Sequence, residues 1–238
     1  MKDGATEEEE VAKVRKQVVT AALPNVVFDG WSDRTLADAV IESGVDPAIS
    51  RLAFPRGGID LVLAFHYDRD DALFEHLSHA EMGGMRFRDK IAYAVMQRLM
   101  LVAPEREAVR RAASMLALPN YAPDAARAIW HTADTIWNAL GDTSSDYNWY
   151  TKRTTLSAVY SSSALYWLGD ETSDFSSTRE FVNRRIDNVM QFEEVKAKLK
   201  ANPVASRLME APRRVLDRVR APVDSAPNDL PGSVKSDT

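Results

Sequence analysis

Apolar residues recur at three- and four-residue steps along most of the chain, and Pro, Gly and capping side chains fall between the runs. That spacing puts the apolar side chains of each run on one helix face, and no stretch alternates in the manner of a half-buried strand. Glu7 to Glu10 sit where a helix N-terminus favours negative charge, Lys13, Arg15 and Lys16 follow, and Pro24 is expected to close the first helix. Ser32-Asp33 offers a cap for a short helix with Leu36, Ala39 and Val40 inward. Gly44 ends it, Asp46-Pro47 starts the next, and Pro55-Arg56-Gly57-Gly58 ends that one, which gives the block helix-turn-helix proportions. A longer helix opens at Ile59. Pro104 and Pro123 suit the first turns of further helices, the second carrying Ala126, Ile129, Trp130, Ala133, Ile136, Trp137 and Leu140 on one side. Ser177 to Glu180 matches a capping box ahead of Val182, Ile186 and Val189.

The stretch 144–168, SSDYNWYTKRTTLSAVYSSSALYWL, is the most informative. Ser145 or Asp146 can cap it and Gly169-Asp170 breaks it, so it reads as one helix of about five turns. Leu156, Tyr160, Ser163 and Trp167 form a packing stripe that, extended backwards, reaches Arg153 and Trp149. Two readings of Trp149 follow: the start of the core stripe, or an exposed contact for a partner. Arg153 favours the second, because a guanidinium is rarely buried without a counter-charge, and the stripe is expected to leave the core before Leu156.

Charge narrows the function classes. The segment from Asp29 to Phe54 carries Asp29, Asp33, Asp38, Glu42 and Asp46 against Arg34 and Arg51, a net of −3, and its candidate recognition helix PAISRLA has one Arg. A DNA reader needs cations there for phosphate, so the block is expected to be a scaffold that binds no nucleic acid. His76 and His79 lie three apart, but no Glu-x-x-His pair accompanies them as a di-iron bundle requires. Gly57-Gly58 and Gly83-Gly84 lack the longer phosphate-cradling pattern, and Ser161 to Ser163 has no nucleophile context. No catalytic residue, cofactor or metal site is expected, and the chain is read as no enzyme.

With 238 residues, 45% hydrophobic and 27% charged, the chain is long enough for one sizeable core. Its lack of cysteine excludes disulfides and thiolate chemistry. No apolar run has the length of a membrane span, and the acidic start MKDGATEEEE has neither a signal-peptide core nor a basic presequence, so a cytoplasmic location is expected. Met82, Met85, Met96, Met100 and Met115 lie near Trp130 and Trp137 in sequence; flexible thioethers beside aromatics suit a deformable apolar pocket and equally an ordinary core. From Glu194 to Arg220 eight basic residues face three acidic ones, +5 net, with Val204, Leu208, Ala211, Val215 and Val219 at helical spacing. That is the pattern of a helix lying on an anionic membrane, with Arg207, Arg214 and Arg218 toward the head groups and Pro212 as an interruption. Beyond Arg220 the chain lacks the apolar residues to fold.

Two long motifs carry a resemblance. DYNWYTKRTTLSAVY, followed by the F-x-x-T-x-x-F-x-x-R-R-I pattern of Phe175, Thr178, Phe181, Arg184, Arg185 and Ile186, is similar to the ubiquinone-biosynthesis accessory family known as coenzyme Q protein nine. So is the block from Pro24 to His66. The resemblance implies an all-α, TetR-like fold of about nine or ten helices with a vestigial helix-turn-helix, homodimerisation, and binding of an isoprenoid or phospholipid. It further implies delivery of a demethoxyubiquinone-type intermediate to a di-iron hydroxylase. Trp149, Tyr150 and Arg153, with Asp146 and Asn148 beside them, match the family's partner-contact patch. Met96, Met100, Trp130, Ala133, Trp137, Leu156 and Tyr160 are the expected lipid contacts. The expected division is 1–55 helix-turn-helix-like, 56–193 lipid-binding and dimerising, 194–220 membrane-binding and 221–238 disordered. The chain is thus expected to be a peripheral membrane accessory protein; the alternatives are a TetR-like regulator sensing a lipid and an interaction module without ligand.

Overall fold

A computed structural model describes residues 7–201 of the chain, with side chains placed from 8 to 191. Nine α-helices make up the described part: α1 (Glu7–Asp29), α2 (Asp33–Ser43), α3 (Pro47–Ala53), α4 (Gly58–His79), α5 (Phe87–Leu101), α6 (Arg106–Leu116), α7 (Ala122–Ala139), α8 (Tyr147–Leu168) and α9 (Ser176–Ala201). The all-α expectation holds. One continuous core runs through them, from Val14 and Val18 on α1 to Val182 and Ile186 on α9.

Local signals explain most boundaries. The Ser32 hydroxyl accepts from Thr35 N–H at the start of α2, and Gly44 closes it at φ 67°, a left-handed conformation that costs glycine nothing. Asp46 accepts from Ala48 N–H at the start of α3. Gly57-Gly58 turns out to be a lock: the Asp33 carboxylate accepts Gly58 N–H at 2.8 Å, and a Cβ on Gly58 would lie 2.3 Å from Trp31 O. Only glycine lets the start of α4 close on the α1–α2 turn in this way. Trp31, buried beside Phe65, donates its indole N–H to Ala108 O at 2.9 Å and ties that turn to α6.

Three expectations need correction. Pro24 does not close α1, which continues to Asp29. Proline removes one hydrogen bond, but Pro24 and Thr20 lie on the exposed side while Val18, Val19, Ala22 and Val26 hold the buried stripe across the gap. Ser177 does not cap α9; it lies one residue inside, and the buried Asp170 carboxylate takes Thr178 N–H at 2.8 Å and Thr178 Oγ1 at 2.6 Å instead. The boundary placed at 193 falls inside α9, which runs on to Ala201. The membrane-binding expectation for Val204 to Val219 and the disordered tail lie outside the described residues.

At the centre, Asp70 of α4 is fully buried. It accepts from Arg98 Nε of α5 at 2.7 Å, bonds His131 Nδ1 of α7 at 2.8 Å and accepts from Thr132 Oγ1 at 3.0 Å. Arg98 is itself 2% exposed, so the pair is a buried salt bridge, and removing one member strands the other in the core. We expect Asp70→Ala to cost about 3–5 kcal/mol in a urea titration. Loss of less than about 1 kcal/mol would show that Arg98 finds another partner.

Candidate functional site

The start of α8 is built by a loop that two carboxylates organise. Gly141 leaves α7 at φ 77°, and Asp142 N–H returns to Trp137 O at 2.9 Å, which turns the Asp142 carboxylate inward. There it accepts from Ser144 Oγ at 2.7 Å, Lys152 Nζ at 2.7 Å and Arg153 Nη1 at 3.0 Å. Asp146 then caps α8 by accepting Asn148 N–H at 2.9 Å. Burial alone raises the Asp142 pKa, but the bonds from Lys152, Ser144 and Arg153 outweigh it and hold the carboxyl down to about 2.

Arg153 overturns the expectation that the stripe leaves the core before Leu156. It is 1% exposed, buried as deeply as Leu156, Tyr160, Ser163 and Trp167 below it. The missing signal was its counter-charge, which lies on another helix: Nε bonds Asp134 Oδ1, Nη2 bonds Asn138 Oδ1 at 3.1 Å, and Nη1 reaches Asp142. The upper face of the guanidinium carries the Trp149 ring, with its carbon 4.0 Å from the ring centroid. Trp149 is half-buried and meets Tyr150 edge-on at 4.8 Å and Trp130 of α7 at 5.7 Å; Trp130 and Tyr150 lie 6.3 Å apart. The three half-buried rings form one surface cluster across α7 and α8. Trp130, expected among the lipid contacts, thus packs in the aromatic cluster.

A groove of about 260 Å³ opens between α5, α7, α8 and α9. Its walls are Phe87 and Ile91 of α5, Trp137 of α7, Leu156 and Val159 of α8, and Ile186, Val189 and Met190 of α9, with Asn148, Thr151 and Thr155 along one side. Phe87 and Trp137 pack at 5.6 Å into an aromatic end. Of the expected lipid contacts, Trp137 and Leu156 line this groove. Met96, Ala133 and Tyr160 are buried without lining it, and Met100 is half-buried elsewhere. The α9 wall was not legible as a wall, because helical spacing marks a buried face without marking what that face encloses. Asn148, expected with the patch, lines the groove instead, one residue from Trp149. The two cations at its rim are already paired, Arg88 with Asp187 and Lys152 with Asp142.

The helix order and the packing define a class, a TetR-like helical protein. A crystal structure of a TetR transcriptional regulator from Nitrosomonas europaea superposes with a TM-score of 0.57 over 74% of this chain and 97% of that one, at 18% identity, a likeness of fold alone. More particularly, the chain is similar to COQ9 proteins. The COQ9 family model matches residues 122–193, the span holding the aromatic cluster and most of the groove. Ubiquinone biosynthesis protein COQ9, mitochondrial, of Drosophila melanogaster is 32% identical over 187 residues, covering 77% of this chain and 57% of that protein. The human protein of that name is 29% identical, covering 79% and 62%, and COQ9-B of Xenopus laevis is 32% identical, covering 75% and 63%. The chain thus spans about three fifths of the length of these curated relatives.

Among the described residues no group of three His, Cys, Asp or Glu is placed to hold a metal ion, and no helix is long and apolar enough to cross a membrane. His76 and His79 are exposed, with His76 Nε2 bonded to Tyr93 Oη at 3.0 Å. α3 exposes a single cation, Arg51.

Two outcomes follow. Arg153→Glu would set a third carboxylate against Asp134 and Asp142 with only Lys152, on Asp142, to offset them, so we expect a loss of at least about 3 kcal/mol in chemical denaturation. Acid should act on the same contacts. Burial works against the charged forms of Asp70 and Asp170, but His66 and Arg98 around Asp70, and Thr172 and Thr178 around Asp170, pull both pKa values below the usual range, as happens at Asp142. A lowered folded-state value adds stability that is complete above the unfolded pKa, about 4, and is lost as the pH falls through the folded values. Melting temperatures should therefore decline from about pH 4 downward, and Asp142→Asn should flatten that decline.

Proposed function

We propose that the chain is a lipid-binding accessory protein of ubiquinone biosynthesis, with the groove holding the isoprenoid tail of a quinone intermediate and the neighbouring aromatic cluster docking a demethoxyubiquinone hydroxylase. The observation that carries the reading is that the two surfaces share the opening turns of α8. Asn148, Thr151, Lys152 and Thr155 face the groove, while Trp149 and Tyr150 stand on the adjacent face of α8. A ligand in the groove would lie beside the docked partner. The apolar walls and already neutralised rim suit a neutral, apolar ligand. Half-buried Trp and Tyr supply the large amphipathic contacts that protein interfaces favour. The names of the relatives support the ubiquinone setting.

Further parts of the reading concern assembly. The outer face of α8 and α9 exposes Leu165 and a Tyr166–Phe181 stack at 4.4 Å, a surface suited to a second copy in a homodimer. The basic amphipathic segment from Val204 to Val219 would hold the protein on an anionic membrane. A transcriptional regulator on the same scaffold would need cations in the segment from Asp29 to Phe54, where five acidic side chains outnumber two arginines.

Organic extraction of the purified protein, read by mass spectrometry, should release an isoprenoid quinone precursor. Thr155→Trp, which fills the groove from its wall, should cut the yield at least about tenfold with an unchanged melting temperature. Lipid retained at the parent level would move the site elsewhere. In cells lacking the native protein, Trp149→Ala with Tyr150→Ala should fold and keep lipid but fail to restore ubiquinone, with the demethoxy intermediate accumulating. Sequence-specific retention of duplex DNA by a chain lacking residues 202–238 would favour the regulator.

A further inference from the structure

We propose that Arg153 is a positioning residue: its buried guanidinium fixes the Trp149 ring in place before any partner arrives, and so sets the affinity of the aromatic cluster without touching the partner. This rests on the cluster being a docking surface. Arg153 cannot itself contact a partner, since it is 1% exposed and lies beneath Trp149. Its in-plane N–H groups are engaged by Asp134, Asp142 and Asn138, which fixes the orientation of its plane, and that plane is the platform under the ring. Trp149 also meets the rings of Tyr150 and Trp130 on the same surface. An aromatic side chain ordered in advance loses less freedom on binding than a mobile one.

The chemistry requires arginine. A guanidinium offers five donors in a plane together with a flat face that stacks on an aromatic ring, whereas a lysine ammonium is a compact point charge. Arg153→Lys therefore keeps a cation between Asp134 and Asp142 but removes the platform. The anchoring groups lie on α7 (Asp134, Asn138) and on the α7–α8 loop (Asp142), so the ring position also depends on how α8 seats against α7. Direct contact with a partner, the role expected for Arg153 from the sequence, does not enter.

The test uses the full chain labelled with 5-fluorotryptophan, in which five ¹⁹F resonances report Trp31, Trp130, Trp137, Trp149 and Trp167. Trp149→Phe assigns the resonance of interest. In Arg153→Lys we expect the Trp149 signal to move toward the solvent-exposed position and sharpen, with the Trp31, Trp137 and Trp167 signals unchanged, and capture of purified demethoxyubiquinone hydroxylase to weaken about three- to tenfold. An unchanged Trp149 signal would overturn the proposal, as would movement of all five signals, which would make Arg153 a strut of the core. Full hydroxylase affinity in Arg153→Lys despite a displaced Trp149 ring would also overturn it. The fluorine readout needs no partner, so the two ideas fail separately. If Trp149→Ala binds the hydroxylase as well as the parent does, the docking reading falls while the fluorine result still decides whether Arg153 fixes the ring.

Discussion

Buried carboxylates need partners, and this fold uses that need to seat its helices. Asp70 joins α4 to α5 and α7 through Arg98, His131 and Thr132. Asp142 joins the end of α7 to α8 through Lys152 and Arg153. Asp170, past the end of α8, takes the backbone and side chain of Thr178 and starts α9. An apolar core tolerates several registers between helices, because its attraction has no direction. A desolvated carboxylate tolerates very few, since any register that leaves it unpaired costs several kcal/mol. Both the groove and the aromatic cluster lie between helices that these contacts seat.

That arrangement bears on how an apolar groove and a surface aromatic cluster can occupy one small region. The groove needs walls on α5, α7, α8 and α9, and the cluster needs rings on α7 and α8. Lys152 and Arg153 are neighbours in sequence and share Asp142, yet Lys152 stands over the Trp137 ring of the groove at 5.1 Å while Arg153 lies under Trp149 of the cluster. The groove wall and the cluster therefore meet at a single shared carboxylate. The connection is a physical contact rather than an inferred path.

What the sequence disclosed follows the same division. Helix existence, the Ser32 and Asp146 caps, the Gly44 stop and the stripe from Leu156 to Trp167 are local, and local rules recovered them. Arg153 was misplaced because its burial depends on Asp134 and Asp142, which no periodicity argument brings together. Pro24 was misread for a related reason: the breaker rule weighs one lost hydrogen bond, whereas the helix answers to the buried valines on both sides of it. The groove was half legible. Trp137 and Leu156 were named for it, but Met96, Ala133 and Tyr160, chosen by the same spacing, fill the core, since an inward face looks alike whether it meets another side chain or an open cleft.

The helix-turn-helix block shows why a shared fold leaves function open. Asp33, in the first turn of α2, reaches across to Gly58 N–H, and Gly57-Gly58 lets α4 close upon it. That carboxylate is also one of the five acidic side chains that set the segment from Asp29 to Phe54 at a net of −3, a charge that repels phosphate. A shared fold therefore leaves nucleic-acid binding open, because the charges that decide it are set residue by residue on the same helices.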